Sequence, residues 1–162
     1  MDRCMELRKT LLDSGCSFTA KVTADYGDKL SVFSMGCTAD SDGNLKFTVL
    51  SPETIAGITG ELNAMSGFLT FDDKALAFPL LADGEVSPVS APWLLMNSLR
   101  GGYLYAAGQE GDVLRLTVRD SYAEDALQLD VWLDDRDHPS KAEILWQGRR
   151  VLSMEIGDFQ IL

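Results

Sequence analysis

His138 is the only histidine in the chain, and it stands in Asp134-Asp135-Arg136-Asp137-His138-Pro139, a segment dense in carboxylates. Carboxylate oxygens and an imidazole in close succession are the donor types that calcium or zinc takes. The spacing fits no calcium loop and no zinc motif, and a solvated connector between strands is the simpler reading. Asp40-Ser41-Asp42-Gly43-Asn44 has the start of a calcium loop, but no glutamate follows at the distance such a loop needs, so a plain hairpin turn is expected. No metal site is therefore expected. Nucleophilic catalysis needs a base within reach of a serine or cysteine, and one histidine in a turn supports neither a Ser-His-Asp nor a Cys-His arrangement. Asp72-Asp73 falls in a turn, and Asp130 points outward on its strand. A glycine-rich phosphate loop and a Cys-x-x-Cys pair are both absent. No catalytic residue and no cofactor are assigned, and the chain reads as non-enzymatic.

What the residues suit better is apolar binding. The set Phe18, Phe33, Phe47, Phe71, Phe78, Trp93 and Trp146 could line a cavity for an acyl chain, which gains about 25 cal/mol for each Å² removed from water. The same residues could equally fill a solid core, and sequence alone does not separate the two. Three cysteines make no even framework. Cys16 and Cys37 are candidates for a cross-strand disulfide, which would suit an oxidising compartment, or for two buried thiols.

These side chains must be held by strands. From Cys16 to Tyr26 apolar and polar residues alternate strictly, which marks a strand with one buried face. A tight turn at Tyr26-Gly27 would set Val22 against Ser31, Ala20 against Phe33, Phe18 against Met35 and Cys16 against Cys37. The turn Ser41-Asp42-Gly43 would set Leu45 against Ala39, Phe47 against Cys37 and Val49 against Met35. Pro52 ends the third strand, and short strands follow through Phe68–Phe71 and Ala75–Leu80. A helix over 90–100 is predicted, with Ser90 as N-cap, Pro92 in the first turn and Gly101 after its end. It is short and apolar, which suits a plug more than a surface element. Four further alternating runs, Val113–Arg119, Leu127–Leu133, Ala142–Trp146 and Leu152–Ile156, complete the chain, with Tyr103–Ala107 before them. Residues 1–13 form an N-terminal helix.

The whole, 1–162, reads as one mainly β domain. About ten or eleven strands joined by short turns form an antiparallel up-and-down sheet. Two helices cannot cover so large a flat sheet, so a curved half-barrel with the helices packed in its concave face is expected. The 162-residue length suits a single core. The formal net charge of -11 argues against nucleic acid and against a basic face for anionic lipid headgroups. No apolar run approaches the roughly 20 residues that cross a bilayer, and the first residues lack the apolar centre of a signal peptide. A monomer is expected.

The C-terminal hairpin, Pro139-Ser140-Lys141-Ala142-Glu143-Ile144, then Gln147-Gly148-Arg149, then Met154-Glu155-Ile156-Gly157-Asp158-Phe159, resembles the end of the LolA-like lipoprotein carriers. The leading helix with its strand meander and the segment Ser51-Pro52-Glu53-Thr54-Ile55-Ala56-Gly57 are similar to that family too. The resemblance implies an unclosed β-barrel whose cavity accepts acyl chains, an extracytoplasmic place in the cell envelope, and membrane association only through a leader or lipid anchor that this chain does not carry. The expected function is a binding module for a lipid acyl chain or other apolar ligand. The alternative is a protein-interaction or envelope-sensing domain with a filled core and no ligand.

Overall fold

The computed structural model describes residues 2–25, 30–53, 56–62, 67–71, 74–78, 81–82, 85–86, 91–119, 127–146 and 149–162. The leading helix α1 (Asp2–Asp13) is amphipathic: Cys4, Leu7 and Leu11 recur at helical spacing and are buried, while Met5 and Leu12 face outward. A meander follows, of β1 (Cys16–Asp25), β2 (Leu30–Ala39) and β3 (Leu45–Ser51), then the shorter β4 (Thr59–Leu62), β5 (Gly67–Phe71) and β6 (Lys74–Phe78). The short strands β7 (Leu81–Ala82) and β8 (Glu85–Val86) pair with each other as a separate two-stranded sheet. After α2 (Ala91–Gly101), a second meander runs through β9 (Tyr103–Glu110), β10 (Val113–Arg119), β11 (Gln128–Leu133), β12 (Pro139–Trp146) and β13 (Arg149–Ile161).

The two meanders join into one 11-stranded antiparallel sheet, ordered β6-β5-β4-β3-β2-β1-β13-β12-β11-β10-β9. The joint is the pairing of β1 with β13, so the first strand and the last lie side by side at the middle of the sheet. β6 and β9 are its two ends and do not pair with each other, which leaves the half-barrel unclosed, as expected. Curvature has an identifiable source. Register shifts interrupt the β1–β13, β2–β3, β9–β10, β11–β12 and β12–β13 ladders, and each such bulge adds local bend and twist. One contiguous apolar core draws on α1, α2 and the inward faces of β1–β4 and β10–β13.

The β2–β3 register is the expected one: Leu45 opposes Ala39, Phe47 opposes Cys37 and Val49 opposes Met35. The β1–β2 register is not. Val22 opposes Phe33, Ala20 opposes Met35, Phe18 opposes Cys37 and Cys16 opposes Ala39. The slip is two residues, which keeps every side chain on its expected face, so the alternation could not detect it. The ladder ends where Asp25 pairs with Leu30. The expected turns at 26–27, 72–73 and 147–148 and the helix cap at Ser90 lie outside the described residues.

Candidate functional site

The concave face is the site that the fold organises. Inward residues of β1 (Phe18, Ala20, Val22), β2 (Phe33, Met35) and β3 (Phe47, Val49) form one wall, and those of β10–β13 form the other. Helix α2 lies against both. Ala91, Pro92, Trp93, Leu94, Leu95, Met96, Ser98 and Leu99 are all buried, which leaves Asn97 as its exposed position before Arg100. A helix apolar on nearly every side belongs inside a protein, and α2 is the plug that its composition predicts.

Of the seven aromatic residues expected on this face, Phe18, Phe33, Phe47 and Trp93 share the one buried core, at 3%, 6%, 3% and 7% exposure. The side chains of Phe71, Phe78 and Trp146 lie outside the described ones. Phe18 stacks on Phe159 of β13 at 6.0 Å, and the His138 ring lies 5.0 Å from Phe159. His138 is thus half-buried packing for the end of the barrel, rather than part of a freely solvated connector. Around it, Asp134 turns the β11–β12 loop by accepting from the backbone N–H groups of Arg136 and His138 at 2.9 and 3.0 Å, and Arg3 of α1 reaches over to Asp137 and to the Asp134 carbonyl.

Cys16 and Cys37 do not face each other. The two-residue slip makes them diagonal neighbours, and Cys4, Cys16 and Cys37 are all free, buried thiols. The opposed geometry on which the disulfide reading rested is therefore replaced by one in which the Cys16 thiol points to Met96 of α2, with Sγ–Sδ at 3.5 Å. Burial pushes the Cys16 thiol up to about 11 and Cys37 higher still, with the neighbouring Cys16 adding to the rise at Cys37. Both are neutral at ordinary pH and behave as small apolar groups under the plug.

Two arginines, neither singled out by sequence reading, fasten the plug. Arg8 of α1 donates from Nε to the Leu99 carbonyl at 2.8 Å and from Nη2 to the carbonyls of Ser98 and Gly102 at 3.2 and 2.7 Å. These are carbonyls at the C-terminal end of α2, where a cation also meets the negative end of the helix dipole. Arg100 extends the other way and donates to the Ser41 carbonyl in the β2–β3 turn. Its guanidinium lies over Gly43, where φ is +92° and a Cβ would collide with it. That turn is built by Asp40, whose carboxylate accepts from the N–H groups of Asp42 and Asn44 and from the Asn44 side chain. The expectation of a hairpin turn at Asp40–Asn44 is met, and its role is to anchor α2. The available signal for Arg8 was its place beside the buried Cys4-Leu7-Leu11 stripe, where a charge demands a partner.

The convex face carries a second polar cluster. Asp130 does point to the outer side of its strand but is only 4% exposed, a correction to the solvated position that alternation suggests. Arg115 Nη2 and Thr117 Oγ1 donate to it at 2.7 and 2.9 Å. Arg115 also bonds Glu110, and the Trp132 ring lies between Arg115 and Lys141, 5.2 and 4.8 Å from its centroid. The Trp132 N–H, then Arg115, hold the Glu110 carboxyl below its usual range. These groups bond largely to one another, while Arg115 Nε is buried without a hydrogen-bond partner among the described residues.

The sequence matches no family model and no curated protein. Solved structures do share the fold. An uncharacterised conserved protein from Thermus thermophilus superposes with a TM-score of 0.54 at 9% identity, covering 99% of this chain and 86% of that one. A domain described as an outer membrane lipoprotein-sorting protein from Vibrio parahaemolyticus gives 0.52 at 10% identity, covering 98% and 90%. A DUF1329 family protein from Desulfovibrio piger gives 0.54 at 7% identity, covering 99% and 90%. The chain shares its fold with these proteins, the unclosed antiparallel half-barrel expected from its strand order.

Proposed function

We propose that this chain is a non-enzymatic binding module of the cell envelope that takes up one acyl chain, or a ligand of like apolar chemistry, between α2 and the concave face of the sheet. The observation that carries the reading is the way α2 is held. Its side chains fill an apolar groove in a sheet that never closes, while directional bonds from Arg8 and Arg100 hold its C-terminal end. An acyl chain offers that groove the same chemistry as the plug. Each methylene buried contributes about 0.8 kcal/mol, so a long chain gains enough to offset lost plug contacts. The shared fold with a lipoprotein-sorting domain is consistent with this reading and with a place outside the cytoplasm. Anchoring through an N-terminal lipid is part of the same proposal.

The test is native mass spectrometry on the chain isolated gently from its own cells without detergent. The reading expects a population heavier than the bare chain by the mass of an acyl lipid, and uptake of palmitate by the stripped protein. A second reading, a solid interaction domain, is favoured by the tight burial of Phe18, Phe33, Phe47 and Trp93. Bare chain alone, with no uptake of palmitate, would decide for that one.

A further inference from the structure

Strand β9 ends the sheet, and from Tyr105 to Glu110 every residue is exposed on both faces. Edge strands in natural proteins are blunted by proline, by inward charges, by brevity or by a covering segment, because their free N–H and C=O groups otherwise recruit another strand. Among the described residues none of these protects Tyr105-Ala106-Ala107-Gly108-Gln109, which carries neither charge nor proline. Small residues keep the approach open: Ala106, Ala107 and Gly108, with Arg115 and Thr117 behind them, line a shallow recess of about 320 Å³.

The far end of the strand has a different character. Gln109, Asp112, Val113, Asp134, Asp135 and Arg3 surround an open recess of about 620 Å³ beyond the β9–β10 turn. Of the cations near this corner, Arg3 is engaged with Asp137 and Arg115 with Glu110 and Asp130, while Asp112 and Asp135 are exposed; at the other end of the strip Arg119 lies over the Tyr105 ring at 4.1 Å.

We infer that the edge of β9 is a docking strand for an extended segment of a partner protein, uncharged where it lies along Tyr105–Gln109 and basic where it passes Asp112 and Asp135. Main-chain bonds to β9 would supply the affinity, and the acidic corner the direction and selectivity. A second copy of this chain is the poorer occupant on two counts. Each copy carries a net charge of -11. An edge-to-edge pair of such strands, about 27 Å long and 10 Å thick, buries on the order of 500 Å² in total, well under the roughly 1,200 Å² of a stable dimer. The same area suits transient capture of a peptide segment.

The probe is a capped, labelled peptide of six alternating threonines and valines followed by three lysines, titrated by fluorescence anisotropy at low salt. Its counterpart ends in three glutamates. The lysine peptide is expected to bind at least tenfold tighter, and the double variant Asp112→Asn/Asp135→Asn to weaken it by about tenfold. Alternate N–H groups of an edge strand point away from the sheet. Of Ala106→Pro and Ala107→Pro, the one that leaves the unfolding temperature unchanged should therefore abolish binding. Equal binding of the two peptides, or binding that survives both the asparagine and the tolerated proline changes, overturns the inference. Self-association of the chain that the tolerated proline abolishes would name a second copy as the occupant and overturn it equally.

Discussion

At the scale of the residue, the side chains that organise the concave face are those that hold a helix. Arg8 makes three bonds to carbonyls at the end of α2. Replacing it by methionine keeps much of its bulk and removes them all. The expected loss is about 2 kcal/mol, read as a fall of roughly 4–8 °C in thermal unfolding, and Arg8→Lys should restore only part of it because a single ammonium lacks the separate Nε and Nη2 donors of the planar guanidinium. If the plug is displaced by ligand, Arg8→Met should also raise the affinity for palmitate severalfold; unchanged affinity with lowered stability would make Arg8 purely structural. The buried thiols give a pH signature. Unfolded cysteines ionise near 9.0, whereas Cys16 ionises near 11 and Cys37 above it. Their contribution is complete below pH 9 and is lost as pH rises through the folded values, because the unfolded chain releases its protons first. Denaturant midpoints measured from pH 8 to 11 should fall, and fall less in Cys16→Ala/Cys37→Ala. The burial of Phe18, Phe33, Phe47, Trp93 and the cysteines was legible in the sequence, because burial follows alternation. Sequence reading missed Arg8, Arg100 and the burial of Asp130, because a polar group's partners come from strands and helices distant in the chain.

At the scale of the element, alternation and turn residues were enough for β1, β2, β3, β10, β11, β12 and the two helices. The β2–β3 register was legible because Gly43 fixes the turn at its positive φ. The β1–β2 register was not, since a slip of two residues preserves both faces and only the length of the connection decides it. The pairing of β1 with β13 also lay beyond pattern reading, because both are alternating strands whose partners are chosen by the whole sheet. For α2, composition alone indicated a plug, and its energetics can be checked. Leu95 is 0% exposed at its centre. Leu95→Ala should cost about 3 kcal/mol, and hydrogen exchange should show the α2 amides opening well before those of β1 and β13. Equal protection of α2 and the central strands would mean that the helix is part of the rigid core and not a separable plug.

For the whole molecule, an open sheet of eleven strands leaves two consequences that a closed barrel would not: a concave face that needs a cover, and an edge at β9 that can accept a strand. The half-barrel was legible from area, because two helices cannot shield that many strands laid flat. Whether the groove exchanges its helix for a ligand was not, because the same apolar residues serve a lined cavity and a filled one. Trp93 sits on α2 in that groove, and Trp132 lies on the convex face between two cations. Brominated palmitate titrated into the Trp132→Phe/Trp146→Phe variant reads the groove alone. The account predicts quenching of Trp93 that saturates at one ligand per chain, with no quenching of Trp132 when it is the sole tryptophan. Undiminished Trp93 fluorescence up to the solubility of the ligand, or quenching of Trp132 in its place, would contradict it.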